Sequence, residues 1–218
     1  MVTKQKDTSK SNLLKSILII ISYFILPYLI GSITSSRLIM SLFYLLYAFI
    51  LIILYRNTFK ADFKDILKNK GSYLKKIILN VVLLIVVVII TNAIINALFN
   101  ISGTSENDYS LLTMFEKSPI ILILLTCIYY PIVEGIVFRK TIRDIIDKKW
   151  LFIIFSSLFY FFFNIVYTSM SFNNIMASIC YLFSMMILSN HYWKTNNFTS
   201  SIIILMIYNV FVSIISFI

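Results

Sequence analysis

This 218-residue chain is poor in the residues that usually build catalytic or metal-binding sites, with a single histidine, two cysteines, four glycines and nine acidic residues. A catalytic zinc takes about three His, Cys or carboxylate ligands. Neither Cys127 nor Cys180 lies near a second ligand type, so no metal and no cofactor are expected and both cysteines read as packing residues. Four glycines leave no glycine-rich phosphate loop, and there is no nucleotide fingerprint and no internal repeat. Charged residues make up 13% of the chain, about half the share of a soluble domain.

What is abundant is apolar surface. Hydrophobic residues are 60% of the sequence and the mean hydropathy is +0.91. They gather in continuous runs of a length that crosses a bilayer as helix, whereas barrel strands would alternate. The expected fold class is therefore all-α: a polytopic transmembrane helical bundle in the cell membrane, with the lipid bilayer as its first partner. Seven spans are predicted, at 13–31, 37–55, 76–99, 118–139, 150–167, 172–189 and 198–218. The basic N-terminal segment lacks a small-residue cleavage site, so the first run is expected to be a retained membrane helix. Residues 56–75 place Phe59, Phe63, Ile66 and Leu67 at helical spacing between lysines, which predicts an interfacial amphipathic helix.

Charge sets the orientation. With the N-terminus in the cytoplasm, seventeen of the nineteen basic residues fall on cytoplasmic segments, and only Arg37 and Lys117 fall outside. The net charge of +10 is then a topology signal and an attraction to anionic lipid. No basic run is interleaved with aromatics on a soluble surface, so nucleic acid is not expected as a partner.

Polar residues inside the spans are few: Asn80, Asn92, Asn96, Glu134, Asn164 and Asn209. Asparagines in membrane helices commonly join one helix to another, and Asn92 or Asn96 is expected to face the bundle interior. Glu134 stands out, because a carboxylate at membrane depth costs several kcal/mol unless it has a partner or a role. It sits in YYPIVEGIVFRK (129–140), between Pro131 and Arg139. It reads equally as a structural carboxyl bonded to another helix or as a functional group. Pro131 is expected to free the carbonyl of Cys127 and kink the span. The lone histidine, His191, is expected as a solvated residue in a cytoplasmic turn.

The segment PIVEGIVFRKTI resembles the first motif of the CPBP family, the type II CAAX prenyl proteases and bacteriocin-processing Abi proteins. That motif has two adjacent glutamates followed, after three residues, by arginine. Pro131, Glu134, Phe138 and Arg139 match it, and Gly135 stands at the second glutamate. SSLFYFFFN (156–164) is similar to the second motif, with Tyr160 at its phenylalanine and Asn164 at its histidine. LMIYN (205–209) is similar to the last, keeping Asn209 but placing Leu205 at the histidine. The turn YWKT (192–195) before the final helix also fits. The resemblance covers about 118–218, so 1–117 is read as N-terminal membrane helices and 118–218 as a CPBP-like core.

The resemblance implies a glutamate-type intramembrane endopeptidase in which the first glutamate activates water and the histidines and asparagine assist. On that basis Glu134, Asn164, Asn209 and Arg139 are the candidate site residues, catalytic if the protein is active and otherwise lining a partner cavity. With both histidines replaced, the expected role is that of a catalytically impaired member. It would bind a membrane peptide or protein, as in bacteriocin self-immunity or regulation. The alternative is an active endopeptidase using Glu134 as base. A small transporter is disfavoured by the lack of paired intramembrane charges and of inverted, broken-helix repeats. Glu134, Asn164 and Asn209 are expected to converge on one cavity lined by Leu205. Arg139 lies five residues after Glu134, about 140° round an α-helix, and is expected among the cytoplasmic bases at the interface.

Overall fold

The computed structural model describes residues 10–101, 119–166 and 170–217, and every regular element among them is a helix. In chain order these are α1 (Lys10–Ile33), α2 (Arg37–Leu54), α3 (Arg56–Lys68), α4 (Lys70–Phe99), α5 (Pro119–Ile145), α6 (Lys149–Val166), α7 (Phe172–Ala177), α8 (Ile179–Thr195) and α9 (Phe198–Phe217). Six spans among the described residues are long and apolar enough to cross a membrane, the joined α7–α8 being one of them. The α2–α3 pair reaches a span's length only if its two helices are counted together across a bend of 75°. Aliphatic side chains such as Leu79, Ile89, Leu98 and Ile120 stay exposed, as they must where the surrounding solvent is lipid.

The segment 56–75 is not one interfacial helix. Residues 56–68 turn off the end of α2, Asn69 interrupts, and Lys70 already begins α4. Phe59 and Ile66 pack inward while Phe63 and Leu67 stay exposed at 48% and 61%, so the four apolar residues split between two faces. Asn100 and Asn196 end α4 and α8 in the left-handed conformation, at φ 54° and 49°, where asparagine is among the better tolerated residues. The connection 100–117 lies, beyond Ile101, outside the described residues.

The fourth span, α5, is the most enclosed. Val133, Ile136, Val137 and Phe138 have no exposed surface. Phe138 meets the rings of Tyr23, Phe159, Tyr160 and Phe163 at centroid separations of 5.1–5.5 Å. Helix α1 packs on the C-terminal end of α5, α8 lies against α6 and α4, and α9 against α4 and α5. The charged end of α5 is marked by Lys140 paired to Asp144 at 2.6 Å and by Arg143 over the Trp193 ring at 3.9 Å.

Helix α9 starts on a double cap. Asn197 accepts from the Ser200 amide at 2.9 Å. Asp62 of α3 accepts from the Thr199 amide at 3.0 Å and its hydroxyl at 2.9 Å. A carboxylate at a helix N-terminus meets both the free N–H groups and the positive end of the dipole. Burial pushes the Asp62 carboxyl above its ordinary range, and the Thr199 bonds partly offset this. The Tyr73 hydroxyl, bonded to Asp65, holds that exposed-side carboxyl below it.

His191 is not a loop residue. It lies on α8 at 4% exposure, with Nε2 2.8 Å from Ser200 Oγ and Nδ1 3.2 Å from Asn80 Nδ2. The ring ties α8 to α9 and α4, because α8 continues to Thr195 and carries the histidine inside the bundle. Asn80 thus joins helices, Asn92 is half-buried with its carbonyl oxygen enclosed, and Asn96 is exposed. Both cysteines are buried and free.

Candidate functional site

The site is built on α5, whose hydrogen-bond register is irregular. Two π-helical turns, Leu125–Tyr129 and Gly135–Lys140, flank the α-helical stretch Tyr130–Glu134. In a π turn the bond runs from residue i+5 to residue i: the Tyr130 N–H reaches the Leu125 carbonyl and the Thr141 N–H reaches Ile136. Such turns inside α-helices occur frequently at functional sites.

The first π turn changes which carbonyl Pro131 leaves without a donor. In an α-helix it would be Cys127, as the sequence suggests. One bond further along the π register it is Thr126, because the residue five on from Thr126 is the proline, which has no N–H. The Asn209 side-chain amide of α9 fills this place, donating to the Thr126 carbonyl at 2.6 Å. The proline therefore produces a docking point for α9 in place of a simple kink.

The second π turn brings Arg139 toward Glu134. Residues five apart, which diverge on an α-helix, draw together where bonding is i to i+5, and the two charges attract each other. Arg139 is therefore not at the interface. It has no exposed surface; Nη1 points at Met185 Sδ at 3.5 Å, and Nε and Nη2 have no hydrogen-bond partner. Gly135 explains how it fits. A Cβ at Gly135 would lie 2.5 Å from Ile202 Cγ1 and 3.0 Å from Arg139 Nη2, so α9 and the guanidinium occupy the space of any side chain there.

Glu134 retains 8% exposure. The Tyr160 hydroxyl of α6 is within hydrogen-bonding reach of the Glu134 carboxyl and of Asn164. The Asn164 amide donates back to the Tyr160 carbonyl at 2.9 Å. Tyr160 thus joins Glu134 to Asn164. Asn209 serves a different part of α5: Thr126 is eight residues before Glu134, about 12 Å along a helix. Leu205 is buried in the same core as Leu125, Tyr129 and Val133. Of the two serines of the second motif, Ser156 joins α6 to α5 and α8, and Ser157 bonds within α6. Ser156 donates to the Phe138 carbonyl at 2.5 Å and meets Ser189 at 2.8 Å, and Ser157 bonds back to Ile153.

Tyrosines are the neighbours that the sequence did not bring forward. Tyr23, Tyr129 and Tyr130 stand in the electrostatic surroundings of Glu134, and Tyr44 stacks on Tyr129 at 5.3 Å. In a hydropathy reading a tyrosine within a span counts as apolar, which hides its hydroxyl. Tyr129 and Tyr130, directly before Pro131, were the available signal. Among the described residues no three His, Cys, Asp or Glu side chains gather closely enough to hold a metal ion.

A helical bundle with one enclosed carboxylate on a π-turned span defines a polytopic membrane protein with an intramembrane polar site. Residues 116–211 match the model of the Rce1-like family, described as type II CAAX prenyl endopeptidase Rce1-like. The match supports the resemblance to the CPBP family over this C-terminal stretch, a little under half of the chain. Comparison with curated proteins and with solved structures gave no match.

Proposed function

We propose that this protein is a catalytically impaired CPBP member that holds a membrane peptide or protein in the region of Glu134, as an immunity or regulatory protein would. One observation carries the reading: the polar neighbour that reaches Glu134 from α6 is a tyrosine hydroxyl, and the family's two histidine positions hold an amide and an alkyl group, Asn164 and Leu205. Hydrolysis of an amide needs a proton moved from water to the leaving nitrogen, and a group that titrates near neutral pH does this best. An asparagine donates hydrogen bonds but does not shuttle protons. The amide of Asn209 is engaged by the Thr126 carbonyl, which supports a structural use for it.

The second reading, an active endopeptidase, is favoured by the retention of Glu134 with part of its surface open. There Glu134 would act as general base and Asn164 and Asn209 as oxyanion donors, with Arg139 holding the carboxylate. The two readings separate in one assay. Full-length protein in nanodiscs is incubated with prenylated and unmodified membrane peptides, and products are read by mass spectrometry. The binding role predicts no cleavage above the Glu134→Gln variant; a cleaved bond that disappears in that variant establishes the protease.

A further inference from the structure

Helix α3 carries Arg56, Lys60, Lys64 and Lys68 at four-residue intervals, all exposed. Residues so spaced form one continuous stripe along a helix. Phe63 and Leu67 border it, also exposed. The opposite face is committed to the protein: Asp62 is buried, and Phe59 stacks on Phe198 at 4.8 Å. The 75° bend from α2 lays α3 close to the membrane plane if α2 crosses it. Its beginning sits at the charged end of the bundle, where Lys15 Nζ bonds the Leu54 carbonyl at 2.9 Å and lies 3.9 Å over the Tyr55 ring. A cationic stripe beside two exposed apolar side chains at this level is complementary to acyl chains topped by phosphate.

We infer that α3 is a strap that reads anionic phospholipid headgroups and passes their binding to α9 through Asp62. The strap is attached at three bonds: Asp62 to the Thr199 amide and hydroxyl, and Asn197 Nδ2 to the Asp62 carbonyl at 3.0 Å. The helix it holds is the one that presses Ile202 on Gly135 and delivers Asn209 to Thr126. Lipid drawn to the stripe therefore restrains the first turn of α9. The inference is independent of whether Glu134 cleaves or only binds.

The test uses the full-length protein in an uncharged maltoside detergent, titrated with dioleoylphosphatidylglycerol or dioleoylphosphatidylcholine. Retained lipid is read by native mass spectrometry, and exchange of the α9 amides by hydrogen–deuterium exchange. Phosphatidylglycerol should be retained in preference and should slow exchange at the start of α9, whereas inorganic phosphate should do neither. Each neutralised lysine near a headgroup weakens attraction about fivefold, so Lys60→Gln/Lys64→Gln/Lys68→Gln should weaken retention about a hundredfold. The control Lys75→Gln/Lys148→Gln/Lys149→Gln should change it far less. Asp62→Ala, which removes both carboxylate bonds, should retain the lipid while losing most of its effect on α9, and Thr199→Val, which removes one of them, should retain the lipid with a smaller effect on α9. Equal retention of both lipids, equal loss in the two triple variants, or a lipid effect on α9 that is undiminished in the Asp62 and Thr199 variants overturns the inference.

Discussion

Replacing Asn209 by alanine tests whether this asparagine is there for stability. The substitution removes the 2.6 Å bond to the Thr126 carbonyl and leaves an acceptor that Pro131 cannot satisfy. A buried polar group left unpaired costs about 1–3 kcal/mol, and hydrogen bonds between membrane helices average about 0.6 with a maximum near 1.7. The overlap sets the expected loss at about 1–1.5 kcal/mol. The decisive step is the second substitution. Pro131→Ala supplies a backbone N–H to the same stretch of α5, so Asn209→Ala in that background should cost only a few tenths, from lost packing. The coupling energy should be about 1 kcal/mol, read from reversible unfolding of the four proteins in mixed micelles. If Asn209→Ala costs the same in both backgrounds, within the ~0.5 kcal/mol of independent sites, Asn209 is not compensating for the proline. If it costs nothing in either, its place is functional alone.

Gly135 and Ile202 should be coupled by overpacking. Gly135→Ala alone should destabilise by up to about 2 kcal/mol, the ~1–3 of a clash less the ~1 gained in helix propensity. That loss should vanish when Ile202→Ala opens the space, and additive unfolding energies would show that α9 has room to move aside. The buried carboxyl of Asp62 sets a pH dependence. Because burial raises its pKa on folding, its contribution is most favourable below the unfolded carboxylate value of about 3.9 and is lost as pH rises through the folded value. Asp62→Asn keeps an acceptor for Thr199, so the wild type should lose thermal stability relative to this variant as pH climbs from about 4. A wild type that gains instead would mean that the Thr199 bonds outweigh desolvation. Asp65, whose pKa is lowered, works in the opposite sense and only toward lower pH.

Composition alone determined that this chain is an all-α membrane bundle, because continuous apolar runs have one satisfactory form in lipid. Helix closes every backbone hydrogen bond within its own segment. The motif residues were also legible, since Glu134 is costly at that depth whatever surrounds it. Register was not. A one-residue change from α to π bonding is decided by how α5 meets α9 and α1, and it moved the proline's open carbonyl from Cys127 to Thr126 and turned Arg139 inward. His191 was misplaced because its neighbours in sequence are polar, whereas its partners Asn80 and Ser200 come from other helices. The vacancy at the second glutamate could be read as a missing charge. Only the packed structure shows it filled, by Ile202 against Gly135 and by the guanidinium of Arg139, because close approach of two helices is a property of neither segment by itself.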